Sequence, residues 1–115
     1  MTVIYIGSSN PAFPLPGYAL YDGSKVAPQF LVEVLAKEIA HRGVSVNSIV
    51  PTAIEGVGVY GDGVRAEFRN FIKSFRPMQR MGRPSDVANV GEYRAWDLAA
   101  FVSGQHLLVT GGAPA

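Results

Sequence analysis

Tyr21 and Lys25 stand four residues apart, about one helical turn, so in a helix both side chains share a face and the ammonium lies beside the phenol. An isolated tyrosine has a pKa of about 10 and is a poor acid or base at neutral pH, but a neighbouring cation favours the phenolate and draws that value down. The pair therefore has the makings of a proton donor. Ser8 follows the apolar run Thr2 to Ile6, and at the carboxyl end of a strand in a parallel α/β sheet its hydroxyl lies where ligands bind, able to donate to a carbonyl oxygen. Taken singly, each has a plainer reading: an exposed tyrosine-lysine stack, and a serine in a turn.

Bringing the three together requires a strand end set against the opening of a helix, and the flanking sequence is of that kind. Thr2 to Ile6 is nearly all β-branched or aromatic and reads as a core strand buried on both faces. Asn10 to Gly17, with three prolines in eight positions, reads as a loop. A long helix is expected over Ser24 to Arg42, where Val26, Ala27, Phe30, Leu31, Val34, Leu35, Ile39 and Ala40 recur at steps of three and four and Gly43 supplies a stop. Pro28 implies either a later start or a bend. Val44 to Val50 reads as a second strand, Arg65 to Phe75 as a helix, Pro77 to Gly82 as a connector, Ser85 onward as a helix entered through Pro84, and His106 to Thr110 as a third strand. The apolar stripe of that last helix runs into Arg94. Strands alternating with helices give an α/β class with a parallel sheet and right-handed crossovers.

Composition narrows the function. With 115 residues the chain is one domain, residues 1–115, and ten Lys plus Arg against nine Asp plus Glu leave a net charge of +1, no footprint for nucleic acid or anionic lipid. The absence of cysteine removes disulfides, thiolate metal sites and thiol nucleophiles, and fits a cytoplasmic setting. Two histidines, His41 and His106, stand far from each other and from any carboxylate at ligand spacing, so no metal is expected and they read as surface and strand-edge residues. No apolar stretch has the length of a membrane span. Arg65, Arg69, Lys73 and Arg76 form a cationic stripe that reads as a solvated helix face.

From Thr2 to Gly112 the chain resembles the short-chain dehydrogenase/reductase family. The likeness rests on Ile6-Gly7-Ser8-Ser9, the thirteen-residue step from Ser8 to Tyr21, and Tyr21-Asp22-Gly23-Ser24-Lys25. Leu35-Ala36-Lys37-Glu38, Arg42 to Ile49, Gly82-Arg83-Pro84, Ser103-Gly104-Gln105 and Gly111-Gly112 extend it. The resemblance implies the carboxyl-terminal half of a Rossmann-like doubly wound domain, three parallel strands with flanking helices, and NAD- or NADP-dependent interconversion of an alcohol and a carbonyl. Ser8 would polarise the carbonyl, Tyr21 pass the proton, and Lys25 tune Tyr21 and hold the nicotinamide ribose. Cofactor contacts are then expected at Tyr21, Lys25, Pro51 and Ile54, the last through its backbone amide.

Departures qualify that picture. The family's Pro-Gly-x-Ile-x-Thr reads here Pro51-Thr52-Ala53-Ile54-Glu55-Gly56, and the first-half features, a Gly-rich dinucleotide turn, a ribose selector and a relay asparagine, have no counterpart. Gly56 to Gly61 fits G-x-G-x-x-G, but lies several residues beyond Val50 and has Met81 where an acid is required, so it reads as a loop over the site. Two further expectations follow: a truncated or remnant chain acting as an association module, or one half of a split enzyme. In either case the first strand is expected to be covered by a homo-oligomer partner or a separate chain, since the family flanks it on both sides.

Overall fold

The structure, a computed structural model, describes residues 1–9, 16–55 and 66–112. Its elements are β1 (Thr2–Ile6), α1 (Ala19–Ile39) with a one-turn 3-10 extension (Ala40–Arg42), β2 (Ser45–Pro51), α2 (Ala66–Phe75), α3 (Pro84–Ala95), a short 3-10 turn (Asp97–Ala99) and β3 (His106–Val109). The strands form a parallel sheet in the order β1-β2-β3, with Thr2 opposite Ser45 and Ser48 opposite His106. Val32 and Ala36 of α1 pack on Val46 from one face, while Gly91 of α3 lies against Ile49, which points to the other. This is the expected α/β layering, with strand bounds within a residue of those read from sequence.

β2 lies between the other two strands, and Val46 to Val50 are buried without interruption. β1 departs from expectation. Among the described residues it pairs only with β2, and Val3 and Ile6 are 41% and 44% exposed. A parallel strand is covered on both faces only where helices reach it, and here it lies at the margin of the layers.

α1 also differs from the sequence reading. It begins at Ala19, five residues before Ser24, and encloses Pro28. No side chain caps it, since Tyr18 occupies the N-cap without a side-chain bond. The start therefore lacks the Ser, Thr, Asp or Asn that normally marks one. Pro28 has no N–H for the Ser24 carbonyl, yet the helix continues because Val32 and Ala36 are anchored on the sheet a turn later. Gly43, at a φ of 74°, ends the extension with its N–H donating to the Ala40 carbonyl at 2.9 Å, a left-handed conformation that favours glycine. The phase of the apolar stripe is the larger correction: Val32 and Ala36 face the sheet, whereas Val26, Phe30, Leu31 and Leu35 are exposed.

α3 opens with Pro84 in its first turn, and the Asp86 carboxylate reaches back to accept from the Arg83 N–H at 2.7 Å. The Arg80 guanidinium donates to both oxygens of Asp86 at 2.8 and 3.2 Å. That hydrogen-bonded guanidinium and the Arg83 N–H hold the Asp86 carboxyl down to about 2. A carboxylate with a depressed folded-state pKa adds stability above the unfolded value of about 3.9, and the contribution disappears as pH falls through the folded one. Thermal melts should therefore lose stability between about pH 4 and 2. Asp86→Asn should flatten that part of the acid limb; an unchanged slope would exclude the pair as its origin. Helix α3 runs through Arg94, which is buried with its Nε unbonded, so the interruption of the stripe did not stop the helix.

The turn that launches β3 is fastened to β2 by Asn47. Its Nδ2 donates to the Val102 carbonyl at 2.9 Å, and its Oδ1 accepts from the Gln105 N–H at 3.1 Å. The Ser103 hydroxyl accepts from the Val46 N–H at 3.1 Å, and the Gly104 N–H donates to the Val46 carbonyl at 2.7 Å. A buried amide satisfied on both sides sets the register between β2 and β3.

Candidate active site

All three strands point the same way, so their carboxyl ends gather at one edge of the sheet. There the backbone pairing outruns β1: the Gly7 N–H donates to the Ile49 carbonyl at 2.8 Å and the Ser9 N–H to the Pro51 carbonyl at 3.1 Å. Ser8 is held between those two bonds and is half-buried. Tyr21 and Lys25 lie in the opening turns of α1, with the Lys25 Nζ 6.0 Å from the centroid of the Tyr21 ring. The ammonium donates to the Ile6 carbonyl at 3.5 Å, two residues before Ser8, which joins the start of α1 to the end of β1. The three residues singled out by type and spacing thus come to one neighbourhood. Tyr21 remains 40% exposed, open to a reacting molecule.

Tyr5 was not anticipated. Its ring centroid lies 5.8 Å from the Lys25 Nζ, and its hydroxyl donates to the Lys25 carbonyl at 3.4 Å. Burial, followed by the negative charge of an ionised Tyr21, pushes the Tyr5 phenol above its ordinary value. Within the apolar run it reads as one more strand residue, and only the α1 crossover brings it to Lys25.

Pro51 ends β2, and its carbonyl is occupied by Ser9. Ile54 makes an isolated parallel bridge to Gly82, in which the Ala53 carbonyl accepts from the Gly82 N–H at 3.1 Å and the Glu55 N–H donates to the Gly82 carbonyl at 2.8 Å. The amide of Ile54 takes no part in the bridge and its side chain is buried. Gly82 lies close under the Ile54 side chain, and a Cβ there would make the Ile54 Cδ1 move aside. The stretch Gly56 to Gly61 lies outside the described residues, as do Arg65 and most of the proline-rich loop.

The cationic stripe resolves into different roles. Arg69 pairs with Glu55, and Lys73 is exposed. Arg76 is only 5% exposed and donates to the Thr110 carbonyl at 2.7 Å and the Thr52 hydroxyl at 3.4 Å. It ties the segment after β2 to the end of β3, which a solvated face would not do. Thr52, at a position the family gives to glycine, supplies the acceptor.

Two other features compete for attention. His106 Nδ1 lies 2.5 Å from the Ser48 Oγ, and its Nε2 lies 3.5 Å from a Glu33 carboxylate oxygen, an alignment of the type that activates a serine nucleophile. Ser48 is 0% exposed, so no substrate reaches it; the array braces α1 on the sheet, with a carboxylate against His106 that sequence spacing did not predict. A cleft of about 620 Å³ lies against β3 and α3, lined by Thr52, Arg76, Asp86, Val90 and Val109 among others. Its Arg76, Arg80 and Asp86 are engaged in the bonds given above, and Ser8, Tyr21 and Lys25 lie outside it. Among the described residues, no three His, Asp or Glu side chains come together to hold a metal, and no helix is long and apolar enough to cross a membrane.

Comparison with known proteins agrees with this fold. A family model described as "Enoyl-(Acyl carrier protein) reductase" matches residues 2–114. The 2,3-dihydroxy-2,3-dihydro-p-cumate dehydrogenase of Pseudomonas putida is 35% identical over 111 residues, 96% of this chain and 43% of that protein. The 3beta-hydroxysteroid dehydrogenase 1 of Eggerthella lenta is 34% identical over 110 residues, 96% and 42% of the respective lengths. A 7 alpha-hydroxysteroid dehydrogenase solved with NADH and 7-oxo glycochenodeoxycholic acid superposes with a TM-score of 0.89 at 28% identity, covering 97% of this chain and 44% of the other. A short-chain dehydrogenase/reductase from Brucella melitensis has the same fold, with a TM-score of 0.86. The chain thus spans less than half the length of the relatives it matches.

Proposed function

We propose, because the chain belongs to the short-chain dehydrogenase/reductase family, that it supplies the proton-transfer side of an NAD- or NADP-dependent oxidoreductase acting on an alcohol or carbonyl compound. The observation that carries this reading is the Lys25 ammonium set beside the Tyr21 ring at the carboxyl edge of a parallel sheet. In the reductive direction the Ser8 hydroxyl donates a hydrogen bond to the substrate oxygen. Tyr21 Oη gives its proton to that oxygen as negative charge develops there, and regains one from solvent. Lys25 steadies the charge left on the phenol. In the oxidative direction the same proton travels the other way.

The donor set fits the nicotinamide end of the cofactor. The Lys25 ammonium has three N–H donors and, among the described residues, one long bond, a match for ribose hydroxyls. The Ile54 amide has no partner among those residues and takes no part in the bridge, so it suits a carboxamide. Pro51 sets the course of that segment. The nicotinamide, when bound, supplies or takes the hydride that no side chain can carry. The test is oxidation of NADH or NADPH with a panel of small carbonyl compounds, and its loss in Tyr21→Phe. Turnover that survives this change would remove the assignment.

The matched portion, about 43% of the relatives' length, is proposed to be their carboxyl-terminal half, since it carries the Ser and Tyr-x-x-x-Lys pattern ahead of a sheet in sequential order. A second reading, an association module or half of a split enzyme, is favoured by one observation: among the described residues β2 is the only strand that pairs with β1. Its outer amides and carbonyls are a template for another chain. With Leu20, Phe30 and Leu31 exposed as well, a homo-oligomer or a partner chain is expected to cover this side. Light scattering on the eluting chain should give a multiple of 12.3 kDa, and a sharp monomer peak would overturn the expectation. Association without saturable NADH or NADPH binding up to about millimolar, about −4 kcal/mol, would select the second reading.

A further inference from the structure

We infer that Tyr5 is a positioning residue of this site: its ring face steers the Lys25 ammonium toward the end of β1 and Tyr21. The inference deepens the proposed function and rests on it for its catalytic meaning. A lysine side chain has four rotatable bonds, so an ammonium that must stay beside one phenol needs something to fix its course. Among the described residues the Lys25 ammonium makes one hydrogen bond, a long one to the Ile6 carbonyl, which is too little by itself. The Tyr5 ring supplies the second restraint. Its centroid lies 5.8 Å from Nζ, within the range over which a cation is drawn to an aromatic face, and the Tyr21 ring stands at 6.0 Å. The ammonium is thus flanked by two tyrosines from two elements.

Tyr5 is itself well fixed. It packs against the Val32, Ala36 and Val46 cluster, and its hydroxyl donates to the carbonyl of Lys25, the residue whose side chain its ring attracts. Gly7 leaves room on the same face, where a Cβ would approach the Tyr5 Cε1 to 3.4 Å and the Gln29 Oε1 to 3.1 Å. Strand β1 therefore contributes twice: Ser8 beyond its end, and Tyr5 three residues earlier beneath the lysine.

The chain has three lysines, Lys25, Lys37 and Lys73, so 13C-lysine labelling gives three resolvable ε-methylene signals. The Lys25 signal is expected to lie upfield of the other two and to show nuclear Overhauser contacts to the Tyr5 ring protons in the unaltered chain. Tyr5→Phe should retain the upfield shift, because the ring face remains. Tyr5→Leu should lose about half of it, with circular dichroism showing that the fold is kept. If the active protein is obtained, Tyr5→Leu should lower kcat about tenfold with KM little changed, while Tyr5→Phe should restore it. A Lys25 signal unmoved in a folded Tyr5→Leu chain would overturn the inference, and absent contacts in the unaltered chain would do so even if Tyr5→Leu failed to fold. Tyr5→Phe behaving like Tyr5→Leu would overturn it too, by assigning the effect to the hydroxyl. Lysine signals that respond as expected in a chain with no turnover of any carbonyl compound would leave Tyr5 in its positioning role and sink the proposed function instead.

Discussion

Tyr21→Phe should lower turnover about 10²- to 10⁴-fold, roughly 3 to 5 kcal/mol of barrier, and leave the thermal midpoint nearly where it was. The two halves of that expectation have separate grounds. Among the described residues the Tyr21 hydroxyl makes no hydrogen bond, and the ring is partly exposed on α1, so removing one oxygen opens no cavity and orphans no partner. Turnover under the proposed function, in contrast, needs a proton delivered at the substrate oxygen, and the Tyr21 phenol is the group proposed to deliver it. Tyr18→Phe, also on an exposed tyrosine three residues earlier, is the control and should be silent. A Tyr21→Phe protein with close to full activity would return the Tyr21 and Lys25 pair to a surface contact.

Asn47→Leu should have the largest effect on the fold. Asn47 is 1% exposed, and its amide bonds two backbone groups of the turn before β3, the Val102 carbonyl and the Gln105 N–H. Leucine of similar size satisfies neither. Each group left buried without a partner costs about 1–3 kcal/mol, so the total is about 2–6 kcal/mol against a whole stability of about 5–15. With a urea slope of about 1–3 kcal/mol per molar, the midpoint should fall by at least about 0.7 M, or the cooperative transition should vanish. Ser103→Ala, which removes a single acceptor from the Val46 N–H, should cost clearly less. Midpoints for the two variants that matched the parent would mean that the turn does not set the β2 to β3 register.

The strands were legible because each apolar run ends at a residue that stops strands: Gly7 after β1, Pro51 at the end of β2, the glycine pair after β3. Pro84 marked α3 in the same way. The start of α1 was not legible, since Tyr18 is an N-cap without a capping side chain. Its inward face was misread because the helix has apolar residues on two sides, and the larger ones, Phe30, Leu31 and Leu35, are on the outer side. Periodicity reports that a face is apolar, and not what covers it. At the proposed site, local spacing places Tyr21 and Lys25 on one helical turn, but it is the family resemblance, more than spacing, that singles them out together with Ser8. Tyr5 beside Lys25, Glu33 beside His106 and Arg76 between Thr52 and Thr110 were not legible, because topology rather than sequence proximity makes each pair.

The parallel pairing that collects the strand ends at one edge also governs the order in which the molecule can assemble. Thr2 meets Ser45 across 43 residues of chain and Ser48 meets His106 across 58, so neither pairing can form as a hairpin. The entropy of closing those loops is lost before any sheet contact repays it, whereas a helix the length of α1 forms in about a microsecond. A chain dominated by such distant pairings belongs with domains that fold in milliseconds to seconds. β2, among the described residues the one strand paired on both sides, is the template on which the other two must find their register. Until both are seated, Tyr21 and Lys25 ride on a helix that has no strand end to face.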